Sequence, residues 1–557
     1  MRITTIARKL ILSAGIALGA FSALAVPPIP GFVNIPQPDG STVEARIIGD
    51  RNFHYYQLRD GSYMMADVES GFLRPATMEK IEKLRIANLQ LREAEALKAL
   101  KMETRAAVQP NEIKKKFPTT GTVKGLIVLA EFQDVKFQPE TTVDYVSTKL
   151  NQIGFKAPEA NGSAVDYFIE QSQGQFTPHF DVVGPITLPK KREDYGKNED
   201  LDGLFRDAAI KADEAGVDYT QYDVNDDGFV DFFFVIFAGH GEAQGGPAES
   251  VWPAMKDISN YVYDMFDGMY LSVAACSCEL KGGTGTNQDG VGTVCHEFSH
   301  ILGLPDIYDA QNTGSLGMLH YDMMCYGSYN DDQRTPSGYT AMDKYTLGWI
   351  EPRLLDGPQK DVELKPLSTD NDCIFIVNPN NKDEYYTLEN RQPIGFDAGL
   401  PGHGLVISYV HYDRNHWAKN TVNTLMAGYD HVGMVCADNS PILNTTASAT
   451  NHEAGDTFPG AKGVTEFTDN TKPAAVWKAS GKQIPVGMPI TNIRELEDGT
   501  ILFDFMQGSG IAEIEDGSFG EAVEYFTLQG MRVSADNLTP GIYIVRDSEG
   551  RTRKVTL

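Results

Sequence analysis

The period of the apolar positions changes along this chain, and each change marks a part. Leu10 to Phe21 is almost continuously apolar behind Arg2, Arg8 and Lys9, and Ala23-Leu24-Ala25 follows. A charged start, a short apolar core and an A-x-A site are the form of an export signal, so a mature chain is expected from about Val26. Val43–Ile48 and Phe53–Leu58 are short strand-like runs. Met78–Thr104 is rich in Leu, Ala, Glu, Lys and Arg, with apolar residues near helical spacing, and predicts a long helix. Gln109-Pro110-Asn111-Glu112-Ile113-Lys114-Lys115-Lys116 then predicts an exposed linker open to cleavage.

Val123–Phe132 is an apolar run of strand length. Asp166–Gln171 and Leu201–Ala215 read as helices, Phe232–Phe237 as a buried strand, and Met342–Leu347 as a helix. From about Glu351 the pattern shortens to alternating strands between Gly, Pro, Asn and Asp: Ile374–Val377, Tyr385–Glu389, Gly404–Val410 and Thr500–Phe505. Gly508–Gly520 is a Gly/acid-rich linker. Tyr525–Val533 and Pro540–Val545 predict two last strands before a basic end at Arg553 and Lys554. The expected division is a signal at 1–25, a prodomain at 26–118, a catalytic unit at 119–350, a β-rich domain at 351–507, and a linker with a β tail at 508–557. The class is α+β.

Composition narrows the function. The chain has 557 residues, too many for one core. Apolar residues make up 41%, as in globular proteins. The net charge of −28 disfavours nucleic acid and anionic membranes as partners. No stretch after the signal is long and apolar enough to span a membrane. The protein is therefore expected to be secreted or at the cell surface. Six cysteines permit disulfides in an exported chain without implying a disulfide framework. Cys295 and Cys325 read as small buried apolar residues.

The chemistry is carried by His296-Glu297-Phe298-Ser299-His300-Ile301-Leu302-Gly303-Leu304-Pro305-Asp306. Two histidines one helical turn apart share a face and can offer nitrogens to one ion. Glu297 beside them is placed to take a proton from water. Gly303 suits the end of the helix, and the returning chain brings Asp306 as a third ligand. Three protein ligands leave one zinc position open, the catalytic arrangement. A Met-containing turn follows at Tyr321–Tyr329. The bland alternative is a charged helix that binds nothing.

A second metal signal is Asp223-Val224-Asn225-Asp226-Asp227-Gly228-Phe229-Val230-Asp231. Oxygen ligands on Asp223, Asn225, Asp227 and Asp231, with Gly228 at the sixth place, match the first part of a calcium loop. Phe234 stands where an EF-hand has its bidentate Glu. The expectation is a structural calcium turn, against an Asx-rich turn that holds itself together.

The zinc motif with its Met turn resembles the immune inhibitor A-type secreted bacterial metalloproteases, a metzincin-like group. Supporting segments include Gln37–Gly40, Gly49–Tyr55, Asp223–Asp231, Glu389-Asn390-Arg391, Gly402-His403-Gly404 and Gly455–Gly460. The resemblance covers about residues 30–506. It implies a metzincin-like catalytic domain with zinc on His296, His300 and Asp306, Glu297 as general base, and Met324 beneath the metal. Tyr326, two places after Met324, is a further catalytic candidate, or a residue that merely packs the turn. The last strands resemble sorting tails read by a secretion machinery; a plain hairpin gives the same pattern.

The expected function is a zinc-dependent endopeptidase made as a zymogen, with protein or peptide substrates. No prodomain Cys is present to cap the metal; His54, Asp50 and Asp60 are the candidates. His240, His403, His411 and His452 are read as structural or exposed. The alternatives are a calcium-stabilised surface adhesin on an inactive protease fold, and a zinc hydrolase acting on something other than peptide.

Overall fold

A computed structural model describes residues 24–88, 90, 117–197, 200–259, 261–309, 314–355, 357–423, 430–445, 450–507, 522–527, 532–534, 538, 542–548 and 552–556. The apolar signal core, the second half of the long helix, the Gln109–Lys116 linker and the 508–520 linker lie outside these residues. Among the described residues no helix is long and apolar enough to cross a membrane.

The apolar run at 123–132 becomes the strand Gly121–Glu131, at the heart of a six-stranded sheet. It pairs in parallel with Phe176–Thr187 on one side and Phe233–His240 on the other, and Val273–Leu280 continues the parallel set. Parallel strands are covered on both faces, and therefore lose the in–out alternation of a surface sheet. The outer strand Ala254–Asp257 runs antiparallel to Val273–Leu280. Leu24–Ala25 lies antiparallel on its free edge.

One face of this sheet carries the helix Leu201–Glu214, through Leu204, Phe205, Ala208 and Ala212. The other carries the helices Ala164–Ser172 and Gly292–Leu302. Phe298 is the hub between them. The rings of Phe168, Phe176, Phe180 and Phe232 stand 4.6–6.0 Å from its own, mostly edge to face. Such pairs add about 0.5–1.5 kcal/mol each beyond the apolar area they bury. The motif helix is thus fixed from behind by aromatics while its histidines face away.

Residues 33–76 form a separate five-stranded antiparallel sheet, and a helix follows from residue 78. The β-rich region holds a five-stranded and a three-stranded sheet around one apolar core. Arg391 joins this region to the catalytic unit. Its fully buried guanidinium pairs with Glu389 and Asp397 and donates to the carbonyls of Tyr321 and Gly338. A buried charge is tolerable only when its donors are met in this way.

The tail corrects the expectation of two strands. Ala522–Phe526, Arg532–Val533, Ile542–Asp547 and Thr552–Thr556 make one four-stranded sheet, and the supposed basic end is its edge strand. Thr-Arg-Lys-Val-Thr lacks apolar alternation, and the backbone ladder rather than side-chain pattern defines it.

Candidate metal centre and catalytic site

Gly292–Leu302 is buried along its whole length. Its first residue must be glycine, since a Cβ there would lie 2.1 Å from the carbonyl oxygen of Ser328. Its end is set by Gly303, at φ 105°, whose N–H donates to the His300 carbonyl, with Leu304 N–H closing onto Ser299. That left-handed cap turns the chain back and delivers Asp306 to the histidine face.

The three expected ligands come together. His296, His300 and Asp306 each present an atom within 4.8 Å of the others, and among the described residues no other such group of three occurs. Asp306 Oδ1 is 3.1 Å from His296 Nε2 and 3.3 Å from His300 Nε2. The far nitrogen of each ring is already engaged. His296 Nδ1 meets the Met323 carbonyl at 2.8 Å, and His300 Nδ1 meets the Leu304 carbonyl at 2.8 Å. This fixes Nδ1 as the donor and turns the Nε2 lone pairs inward. His300 Nε2 is buried without a hydrogen-bond partner. The set fits a zinc ion: two imidazoles, one carboxylate, and a His300 nitrogen facing the gap without a hydrogen-bond partner.

Charge follows the same logic. Burial pushes His296 below its usual range, against the pull of Asp306. Burial alone would raise Asp306, but the facing His300 and His296 hold it below the usual carboxylate range. Burial, and then the Asp306 charge, push Glu297 well above the usual range. Glu297 Oε2 is buried with no partner.

Its other oxygen is met from the far end of the chain. Val26 N–H donates to Glu297 Oε1 at 2.9 Å, and Ala25 N–H reaches Asp306 Oδ2 at 3.5 Å. The segment is held on both sides. Tyr308 Oη donates to the Ala25 carbonyl at 2.7 Å, Trp252 Nε1 to Val26 at 3.1 Å, and Tyr329 Oη to Pro27 at 2.7 Å. Main chain, then, covers the site. His54 instead pairs with Glu242 and lies against Trp252. Asp60 accepts from Ser62 at the surface.

Met323 and Met324 are fully buried, and Met323 supplies the carbonyl under His296. Tyr326 packs its ring 6.3 Å from Tyr308 and 6.0 Å from His320. Burial pushes its hydroxyl up, so it is a neutral phenol. All six cysteines are buried and free. His411 belongs to a stack with His431 and His416, at 5.0 and 4.6 Å between rings.

The Asp223–Asp231 loop is closed by its own bonds. Asp223 accepts from Asp227 and Gly228 N–H, Asp227 from Phe229 N–H, and Asp231 from Val224 N–H and Asn225 Nδ2. Burial, with Asp227 and Asp223 nearby, pushes Asp231 up to about 7 against the pull of Val224 N–H.

Sequence reasoning missed Asn420. Its amide accepts from Asp306 N–H at 2.6 Å and donates to Asp306 Oδ2 at 2.5 Å. It missed the covering segment as well, since Leu24 and Ala25 read as part of a cleavage site. No local signal marks either.

Residues 121–350 match the family model described as the immune inhibitor A peptidase M6 catalytic domain. Immune inhibitor A of Bacillus thuringiensis subsp. alesti is 31% identical over 177 residues, which is 27% of this chain and 26% of that protein. The pre-pro-metalloprotease PrtV of Vibrio cholerae serotype O1 (strain M66-2) is 29% identical over 223 residues, 33% of this chain and 23% of its own length. The chain spans about a quarter of the length of these curated relatives. The resemblance read from the zinc motif is the one the comparisons return, and they do not favour the adhesin alternative.

Proposed function

With an immune inhibitor A-type peptidase domain at residues 121–350 as the premise, we propose that this chain is a secreted zinc endopeptidase made in latent form. The observation that carries it is the idle His300 Nε2 facing Asp306 Oδ1 and His296 Nε2, with both Nδ1 atoms tied to carbonyls. His296, His300 and Asp306 would hold the ion. Zinc, when bound, supplies Lewis acidity for a water and for the scissile carbonyl.

The chain's own part is positioning and proton transfer. Glu297 takes the proton of the attacking water and passes it to the leaving amine. Its raised affinity for protons suits it to hold one between those steps. The free edge of Ala254–Asp257, where Leu24–Ala25 now lies, offers backbone groups for a substrate strand running antiparallel. Residues 26–118 act as the prodomain. Latency comes from Val26–Pro27 crossing the site, and export cleavage after Ala25 would leave the amino group of Val26 beside Glu297. Tyr326 lies near enough to Tyr308 to line the same cleft. Calcium on Asp223, Asn225, Asp227 and Asp231 would relieve the crowding of carboxylates there.

The test is casein cleavage by the full chain after limited trypsin treatment, unmodified beside Glu297→Gln, with zinc measured in both. Cleavage by the unmodified chain alone, at equal zinc content, supports the reading. Equal zinc and no cleavage by either returns the adhesin alternative.

A further inference from the structure

Of the three ligands, only Asp306 has a choice of atoms. A carboxylate can hold an ion through one oxygen or both. Here Oδ1 faces the two histidine nitrogens, while Oδ2 accepts from Asn420 Nδ2. The same amide accepts the Asp306 N–H. One side chain thus grips the carboxylate and the backbone of one residue. To offer both oxygens to an ion, Asp306 must give up a 2.5 Å hydrogen bond.

Asn420 comes from beyond the matched catalytic segment, on the turn that ends the short helix Arg414–Ala418. Buried Trp417 anchors that helix. Thr421 N–H closes the turn onto the His416 carbonyl at 3.0 Å. Asn420 sits at φ 50°, which asparagine tolerates better than most residues. Three residues on, Asn423 donates to the carbonyls of Ile307 and Val432 at 2.8 and 2.6 Å. Two asparagines therefore latch one arm of the β-rich domain onto consecutive residues, and only the first touches a ligand.

We propose that Asn420 is a positioning residue of the metal centre: it holds Asp306 to the ion through Oδ1 alone and makes the β-rich domain part of the active site. This rests on the zinc reading above. Partners behind a metal ligand are typically worth about 10–100-fold in affinity.

Asn420→Gly is the informative variant, because glycine keeps the left-handed turn and removes only the amide. Asn423→Ala is the control for the latch alone. On the full chain, zinc affinity is measured by chelator competition, and the visible bands of the cobalt(II)-substituted protein report coordination number. The expected result is a zinc dissociation constant raised about 10–100-fold in Asn420→Gly. Its cobalt bands should weaken as Asp306 becomes bidentate, while Asn423→Ala stays near the unmodified chain in both. Unchanged zinc affinity and cobalt bands in Asn420→Gly overturn the proposal. So does an equal loss in Asn423→Ala, which makes the arm's packing the cause. If Asn420→Gly does not fold, Asn420→Asp keeps the acceptor for Asp306 N–H and removes the donor to Oδ2, and its cobalt bands decide. An unmodified chain that binds no zinc overturns the metal reading itself.

Discussion

The two clusters of metal-grade side chains are built in opposite ways. At His296, His300 and Asp306 the outer atoms are hydrogen-bonded and the inner ones are left facing each other. At Asp223–Asp231 the carboxylates accept from the loop's own N–H groups. The first arrangement gathers three ligand-type atoms around one gap. The second stands as a turn without an ion. What separates them is not ligand count, for the loop has more oxygen donors than the helix site has ligands. It is where the partners lie: the loop's carboxylates are met by its own N–H groups, whereas both histidines are tied from behind and His300 Nε2 faces Asp306 without a hydrogen bond.

The largest break in this comparison is expected from His300→Ala. It should abolish zinc binding and casein hydrolysis together, while the protein remains folded by circular dichroism. Asp223→Asn should leave activity intact under the same assay. Equal loss of activity in both variants would erase the distinction.

Smaller effects are expected at the covering segment. Tyr329→Phe removes the donor to the Pro27 carbonyl, and one such bond contributes about 0.5–1.5 kcal/mol. The uncovered fraction of the latent chain should rise about two- to tenfold, read as basal cleavage of a quenched peptide. No rise would mean that the segment does not gate the site.

The smallest effect concerns the loop and pH. Asp231 is pushed up to about 7 in the fold, while an unfolded Asp titrates near about 4. Between those values the folded state holds a proton that the unfolded chain has released, so stability falls as pH rises through that window. Without calcium the melting temperature should drop from pH 5 to pH 8, and calcium should remove part of the drop. A calcium-independent profile would leave the loop a self-closed turn.

The clustering of His296, His300 and Asp306 was legible because a helix converts sequence spacing into geometry: His296, Glu297 and His300 need only 3.6 residues per turn, and Asp306 only a glycine cap. The strands at 121–131 and 233–240 were legible because parallel burial makes continuous apolar runs. Val273–Leu280 was harder to see, since Ala274-Ala275-Cys276-Ser277-Cys278 is small-residue sequence buried by what packs on it. Ala254–Asp257 is defined by its ladder alone. Asn420 lies 114 residues from the ligand it grips, and nothing local sets its role. The sheet-edge position of Leu24–Ala25 was hidden because a small-residue processing site and a tight-fitting strand ask for the same side chains.

The arm that carries Asn420 and Asn423 also bears on modularity. A recombination event that moved residues 121–350 to a new partner would transplant His296, His300 and Asp306 and leave behind the Asn420 amide that holds Asp306. The matched segment is thus narrower than the hydrogen-bonded unit, and a transferable cassette must run through residue 432 to carry the latch with it.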